Sequence, residues 1–152
     1  MTARLLVVHH TPSPAMQELL EAVLEGTRAE GVEGVDVDVH PALSATASDL
    51  LAADGVLLGT PANIGYMSGA LKHFFDTIYY PTLDAKHGLP FGYWIHGDND
   101  PEGAKRAIES IAGALRWKRS ATPLLVTGRL DQGVREAAFE LGGTLAAALM
   151  EW

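Results

Sequence analysis

Leu5 to Val8 form an unbroken apolar run, and the next stretch places Met16, Leu19, Leu20, Val23 and Leu24 at i, i+3, i+4, i+7 and i+8. A short run apolar on both faces followed by a helix with one apolar stripe is the repeating unit of a covered parallel sheet. The unit recurs along the chain. Gly31 and Gly34 close the first helix, and Val35, Val37 and Val39 then alternate with Asp36, Asp38 and His40, which predicts a strand with one wet face near a sheet edge. Ser44 to Ala53 has room for a short helix, and Asp54-Gly55 turns the chain into Val56-Leu57-Leu58, the candidate central strand. Leu71, Phe74, Phe75 and Ile78 predict a helix that ends before Pro81, with an aperiodic loop over 81–90. Phe91 to Ile95 predicts the fourth strand. Asp100 as N-cap and Pro101 in the first turn open a helix with Ala104, Ala107, Ile108, Ile111 and Leu115 inward. Thr122 to Val126 predicts a fifth strand, placed on an edge by Pro123, and Asp131 caps a closing helix through Val134, Ala138, Leu141, Leu145 and Leu149.

Strand and helix alternate strictly, and right-handed crossovers then leave few topologies. The expected fold is α/β, a doubly wound five-stranded parallel sheet in the order 2-1-3-4-5, with residues 1–152 forming a single domain. Such sheets bind ligands outside the carboxyl ends of the strands, where the winding reverses. The loops at 9–16, 59–69 and 96–100 are therefore the ones to inspect.

Composition narrows the chemistry. With no cysteine, thiolate catalysis, Cys-ligated zinc and iron–sulfur clusters are excluded, so redox chemistry requires a bound organic cofactor. The formal net charge of -8 opposes a nucleic-acid backbone, and Lys105-Arg106 and Arg116 to Arg119 read as helix-end and turn charges. No apolar stretch approaches the roughly 20 residues of a membrane span, and the first strand begins too near Met1 for a signal peptide, which predicts a cytoplasmic protein. Neither GxxxxGK[ST] nor GxGxxG is present, and no two histidines stand at the i, i+4 spacing of a helical metal site, so no metal is expected.

The first loop, His9-His10-Thr11-Pro12-Ser13-Pro14-Ala15-Met16, enters the amino end of a helix, where free amides and the helix dipole favour an anion. Thr11 and Ser13 add hydroxyls, the amides of Thr11, Ser13, Ala15, Met16 and Gln17 are candidate donors, and a protonated His10 would assist. An ordinary N-cap by Ser13 with Pro14 at the first helical position explains the same residues equally well. The second loop, Gly59-Thr60-Pro61-Ala62-Asn63-Ile64-Gly65-Tyr66-Met67-Ser68-Gly69, combines flexible glycines with a Tyr-Met pair at the switch point, suited to the edge and face of a flat aromatic ligand. Its plainer account is that Tyr66 and Met67 pack the loop down while Ser68 caps the next helix. In the third loop, His96-Gly97-Asp98-Asn99-Asp100, Gly97 can present its amide closely and His96 or Asn99 can bond a ring carbonyl. Asp100 reads as a cap.

The stretch GTPANIGYMSGALKHFFD closely resembles the third strand, flavin loop and third helix of flavodoxin-like NAD(P)H-dependent FMN oxidoreductases, including their quinone-reductase branch. That resemblance implies a flavodoxin-like fold and FMN as cofactor, with Pro61, Ala62, Asn63, Ile64, Gly65, Tyr66 and Met67 against the ring and ribityl chain. It further implies NAD(P)H as co-substrate, a quinone, flavin or similar small-molecule acceptor, and a dimer or tetramer. The loop at 11–16 is similar to the flavodoxin T-x-T-G-x-T but lacks its glycine and last threonine. Flavin chemistry demands no catalytic acid or base from the chain. Two alternatives stand beside this expectation: a flavodoxin-type carrier of electrons to a protein partner, and a binding module of the same fold that has lost flavin.

Overall fold

The computed structural model describes residues 2–150; Met1, Glu151 and Trp152, which the single-domain expectation includes, lie outside them. Strand β1 (Ala3–His9), helix α1 (Pro14–Thr27), strand β2 (Val35–Pro41), helix α2 (Ala47–Leu51) and strand β3 (Gly55–Asn63) follow the expected order. A two-residue strand β4 (Tyr66–Met67) precedes α3 (Gly69–Thr82), β5 (Pro90–Gly97) and α4 (Glu102–Ala114). The chain then forms β6 (Lys118–Arg119), β7 (Leu124–Thr127) and α5 (Gln132–Ala148).

The sheet runs β2-β1-β3-β5-β6, with β7 also pairing β5, so β6 and β7 occupy the fifth position in succession. All of these pairs are parallel, Leu58 lying between Val8 and Tyr93. The doubly wound order is as expected. Alternate side chains of β1 separate two cores. Leu6 and Val8 join Leu50, Leu71, Phe74, Phe75 and Ile108 on the face covered by α2, α3 and α4. Leu5 and Val7 join Met16, Leu19, Leu141 and Leu145 beneath α1 and α5. Each such Leu or Val, fully withdrawn from water, contributes about 1.5–3 kcal/mol of transfer free energy, which is what holds the helices on the sheet. Gly26 and Gly142 let α1 and α5 touch, since a Cβ at Gly26 would stand 1.9 Å from the Phe139 carbonyl oxygen.

Five local expectations are corrected. Helix α3 continues through Pro81 rather than stopping before it, because Pro81 is exposed in the last turn and its ring removes only the bond to the Thr77 carbonyl. The loop that follows is correspondingly shorter, residues 83–89. Lys118 and Arg119 are strand residues, and the fifth strand begins at Leu124, just past Pro123, which has no N–H to give the ladder. Helix α4 starts at Glu102, with Asp100 Oδ1 accepting the Glu102 N–H at 2.9 Å, so the cap stands one residue further out than a conventional N-cap. No helix among the described residues is long and apolar enough to cross a membrane.

Candidate functional site

The carboxyl ends of β1, β3 and β5 meet at one rim of the sheet, where all three inspected loops emerge. The loop expected at 59–69 is mostly strand. Pro61, Ala62 and Asn63 extend β3, and Ala62 and Asn63 pair antiparallel with Met67 and Tyr66 in a hairpin closed by Ile64 and Gly65. Both loop residues have positive φ, 49° and 71°, as a two-residue type I′ connection requires. For β-branched Ile64 that conformation is strained, and its side chain is fully exposed at 104%. Tyr66 is 41% exposed, whereas Met67 is 2% exposed and belongs to the core.

Three contacts fix this hairpin. At its base the buried Thr60 hydroxyl accepts the Ser68 N–H at 3.0 Å and donates to the Pro61 carbonyl at 2.8 Å, while Ser68 Oγ caps α3 through the Leu71 N–H. On its flank the end of β5 lies so close that a Cβ on Gly97 would stand 2.9 Å from Ala62 Cβ. At its tip the first turn of α4 abuts the Gly65 carbonyl oxygen, which a Cβ on Gly103 would meet at 1.8 Å. Only glycine fits at 103.

The loop at 10–16 is built differently. His10 N–H bonds the Gly59 carbonyl at 2.9 Å, tying the loop to β3. Ser13 Oγ accepts the Met16 N–H at 3.2 Å and the Ser13 carbonyl accepts the Gln17 N–H at 3.0 Å, so those two amides are consumed by the helix. The Met16 side chain is fully buried in the core, as its stripe predicts, and the correction to its expected role is that its N–H serves the helix cap rather than a ligand. Pro12 and Pro14 have no N–H, which leaves the amides of Thr11, Ser13 and Ala15 without an acceptor among the described residues. His9 Nδ1 and the Thr11 hydroxyl share a hydrogen bond of 2.8 Å. Burial, and secondarily the charge of His10, holds His9 below the usual imidazole range. His10 Nδ1 is buried without a partner.

In the third loop the His96 Nε2–H donates to the Gly128 carbonyl at 2.7 Å, and the Gly128 N–H returns to the Gly97 carbonyl at 3.0 Å. That bond commits Nε2 to the Gly128 carbonyl and leaves Nδ1 as the ring nitrogen open to a ligand. Asn99 and Asp98 are exposed beside it. Thr60, Gly103 and Gly128 were not singled out from sequence. Their roles depend on which segments meet across the rim, and a glycine six residues past the end of β5 or one past the end of β7 carries no local sign of that.

This rim, with its unpaired amides at a helix amino end and a rigid aromatic-bearing hairpin beside a glycine, is what a nucleotide-like aromatic ligand requires. A family model for NADPH-dependent FMN reductases matches residues 16–115, well over half of the chain, and the chain belongs to that family. It is 36% identical over 75 residues to a flavodoxin of Aquifex aeolicus, a match covering 49% of this chain and 40% of that one. It is 29% identical over 94 residues to an NAD(P)H dehydrogenase (quinone) of Acidithiobacillus ferrooxidans, covering 49% of this chain and 46% of that one. The match thus spans less than half the length of either relative. A solved flavodoxin from the domain Archaea has the same fold, with a TM-score of 0.84 over 97% of this chain and 99% of that one at 16% identity.

Proposed function

We propose that this chain binds FMN at the rim of β1, β3 and β5 and passes electrons from NAD(P)H to a quinone, flavin or similar small acceptor. The observation that carries this reading is the hairpin 61–67, clamped between Gly97 and Gly103 with the Tyr66 ring half exposed beside it. The donor set also suits the ligand, with three free amides and the Thr11 hydroxyl for a phosphate. The chemistry supplied by bound FMN is hydride acceptance and electron release.

The chain's part is to hold and orient. Thr11, Ser13 and Ala15 offer backbone N–H groups to the phosphate, with His10 beside them. Pro61, Ala62, Asn63, Ile64, Gly65 and Tyr66 line the ring and ribityl chain, and Met67 supports them from the core. Gly97 and Asn99 face the pyrimidine edge, with His96 Nδ1 beside them. A second reading, an electron carrier for a protein partner, is favoured by the net charge of -8 and by the flavodoxin relative. Mixing the FMN-loaded protein with NADPH or NADH and then a quinone separates the two. Sustained NAD(P)H oxidation is expected; its absence in a protein that holds FMN tightly would favour the carrier.

A further inference from the structure

Beside the amino end of α1 lies a cleft of about 430 Å³ whose lining includes Ala15, Glu18, Asp98, Gly128, Arg129 and Arg135. Two cations reach it, and they differ. Arg135 is paired with Glu18, through Nη2 at 3.2 Å and Nε at 3.3 Å. Arg129 forms no ion pair among the described residues.

The backbone around Arg129 is held on both sides. Before it, Gly128 takes a φ of 73° and is bonded to the His96 ring and the Gly97 carbonyl. After it, Leu130 packs on the α1/α5 core and Asp131 Oδ1 caps α5 by accepting the Val134 N–H at 2.9 Å. An unpaired arginine on a fixed backbone thus lines a cleft it shares with Ala15, whose amide is one of the three left free at 10–16. Asp98 also lines the cleft, and its carboxylate repels an anion from its own part of it.

We infer that Arg129 binds a phosphoryl group of the ligand, a role in which it supplements the few donors of the 10–16 loop. The inference rests on the proposed flavin site only for what the phosphoryl group belongs to, which is either FMN or the pyridine dinucleotide. A guanidinium suits the task because its paired N–H donors match phosphate oxygens.

The first arm of the test titrates inorganic phosphate against thermal unfolding of flavin-free wild type, R129K and R129Q. Phosphate raises the midpoint of wild type, does so less in R129K, and does not in R129Q. An equal shift in R129Q, or none in wild type, overturns the inference even if FMN binds. The second arm compares FMN with riboflavin and measures KM for NADPH. A preference for FMN over riboflavin that falls about tenfold in R129Q assigns the phosphoryl group to the flavin. An unchanged preference with a raised KM assigns it to the dinucleotide. FMN and riboflavin weakened equally would contradict contact with either phosphate. A phosphate shift dependent on Arg129 in a protein that refuses FMN would remove the flavin function and leave this inference standing.

Discussion

The hairpin at 61–67 and the loop at 10–16 leave neighbouring strands at the same rim but are built by opposite means. The hairpin is overdetermined: a buried threonine at its base, a glycine contact on its flank, a helix turn at its tip, and backbone strain at Ile64 that these contacts sustain. The 10–16 loop is stiffened by two prolines, yet spends two amides on starting α1 and keeps three for a ligand. On the proposed reading, ring recognition is thereby built into the packing, and phosphate recognition is left to a few donors plus whatever charge stands nearby.

That contrast is open to attack from both sides. The largest effect is expected at Gly103, where Gly103→Ala drives a Cβ into the Gly65 carbonyl oxygen and displaces the hairpin tip; FMN affinity should fall about 100-fold, equivalent to about 2.7 kcal/mol, in a protein whose far-ultraviolet spectrum is unchanged. Gly69→Ala is the control. With nothing within 4 Å of the added carbon it should leave affinity unchanged. Tyr66→Ala should weaken FMN by about fivefold through lost aromatic contact, and barely move the melting temperature because the ring is already 41% exposed. Ser13→Ala should do the reverse. It removes the cap of α1 and costs about 1 kcal/mol of stability, measured by urea unfolding, while FMN affinity changes little because Ser13 Oγ already serves the helix. Equal losses of affinity at Tyr66 and Ser13 would erase the distinction between the two regions.

The smallest effect concerns His9. Its imidazole is held neutral in the folded state, so the stability it contributes is fully present above the ordinary histidine value of about 6.5 and is lost as pH falls towards the lower folded value. Wild type should therefore lose stability as pH falls below about 6.5 more steeply than His9→Asn, as melting temperatures across that fall would record. A steeper loss in the variant would place the titration elsewhere.

How far this architecture could be read from residues alone varied with the range of the interactions. Leu5 to Val8 and Val56 to Leu58 announce buried strands because burial on both faces leaves no polar position in either run, and the α1 and α4 stripes follow from helical period. Those elements fix the sheet order and hence the rim. The hairpin was hidden because Ile64-Gly65 lacks the Asn-Gly signal of its turn, and two of the three contacts that sustain the strain, at Gly97 and Gly103, come from distant sequence. The Met16 side chain is buried as its place in the helical stripe predicts, but its amide was offered to a ligand because only the folded cap shows Ser13 Oγ taking it. His96 needed Gly128, which only the packing of the last strand brings near.

The central claim, that the rim of β1, β3 and β5 binds a flavin chiefly by its ring, is tested most directly by titrating the protein into FMN and into riboflavin while following flavin fluorescence. The account predicts quenching of both, with a Kd for FMN below about 10 μM and riboflavin weaker by about one to two powers of ten. Unchanged fluorescence of both flavins, or binding of FMN with no detectable binding of riboflavin, would contradict it.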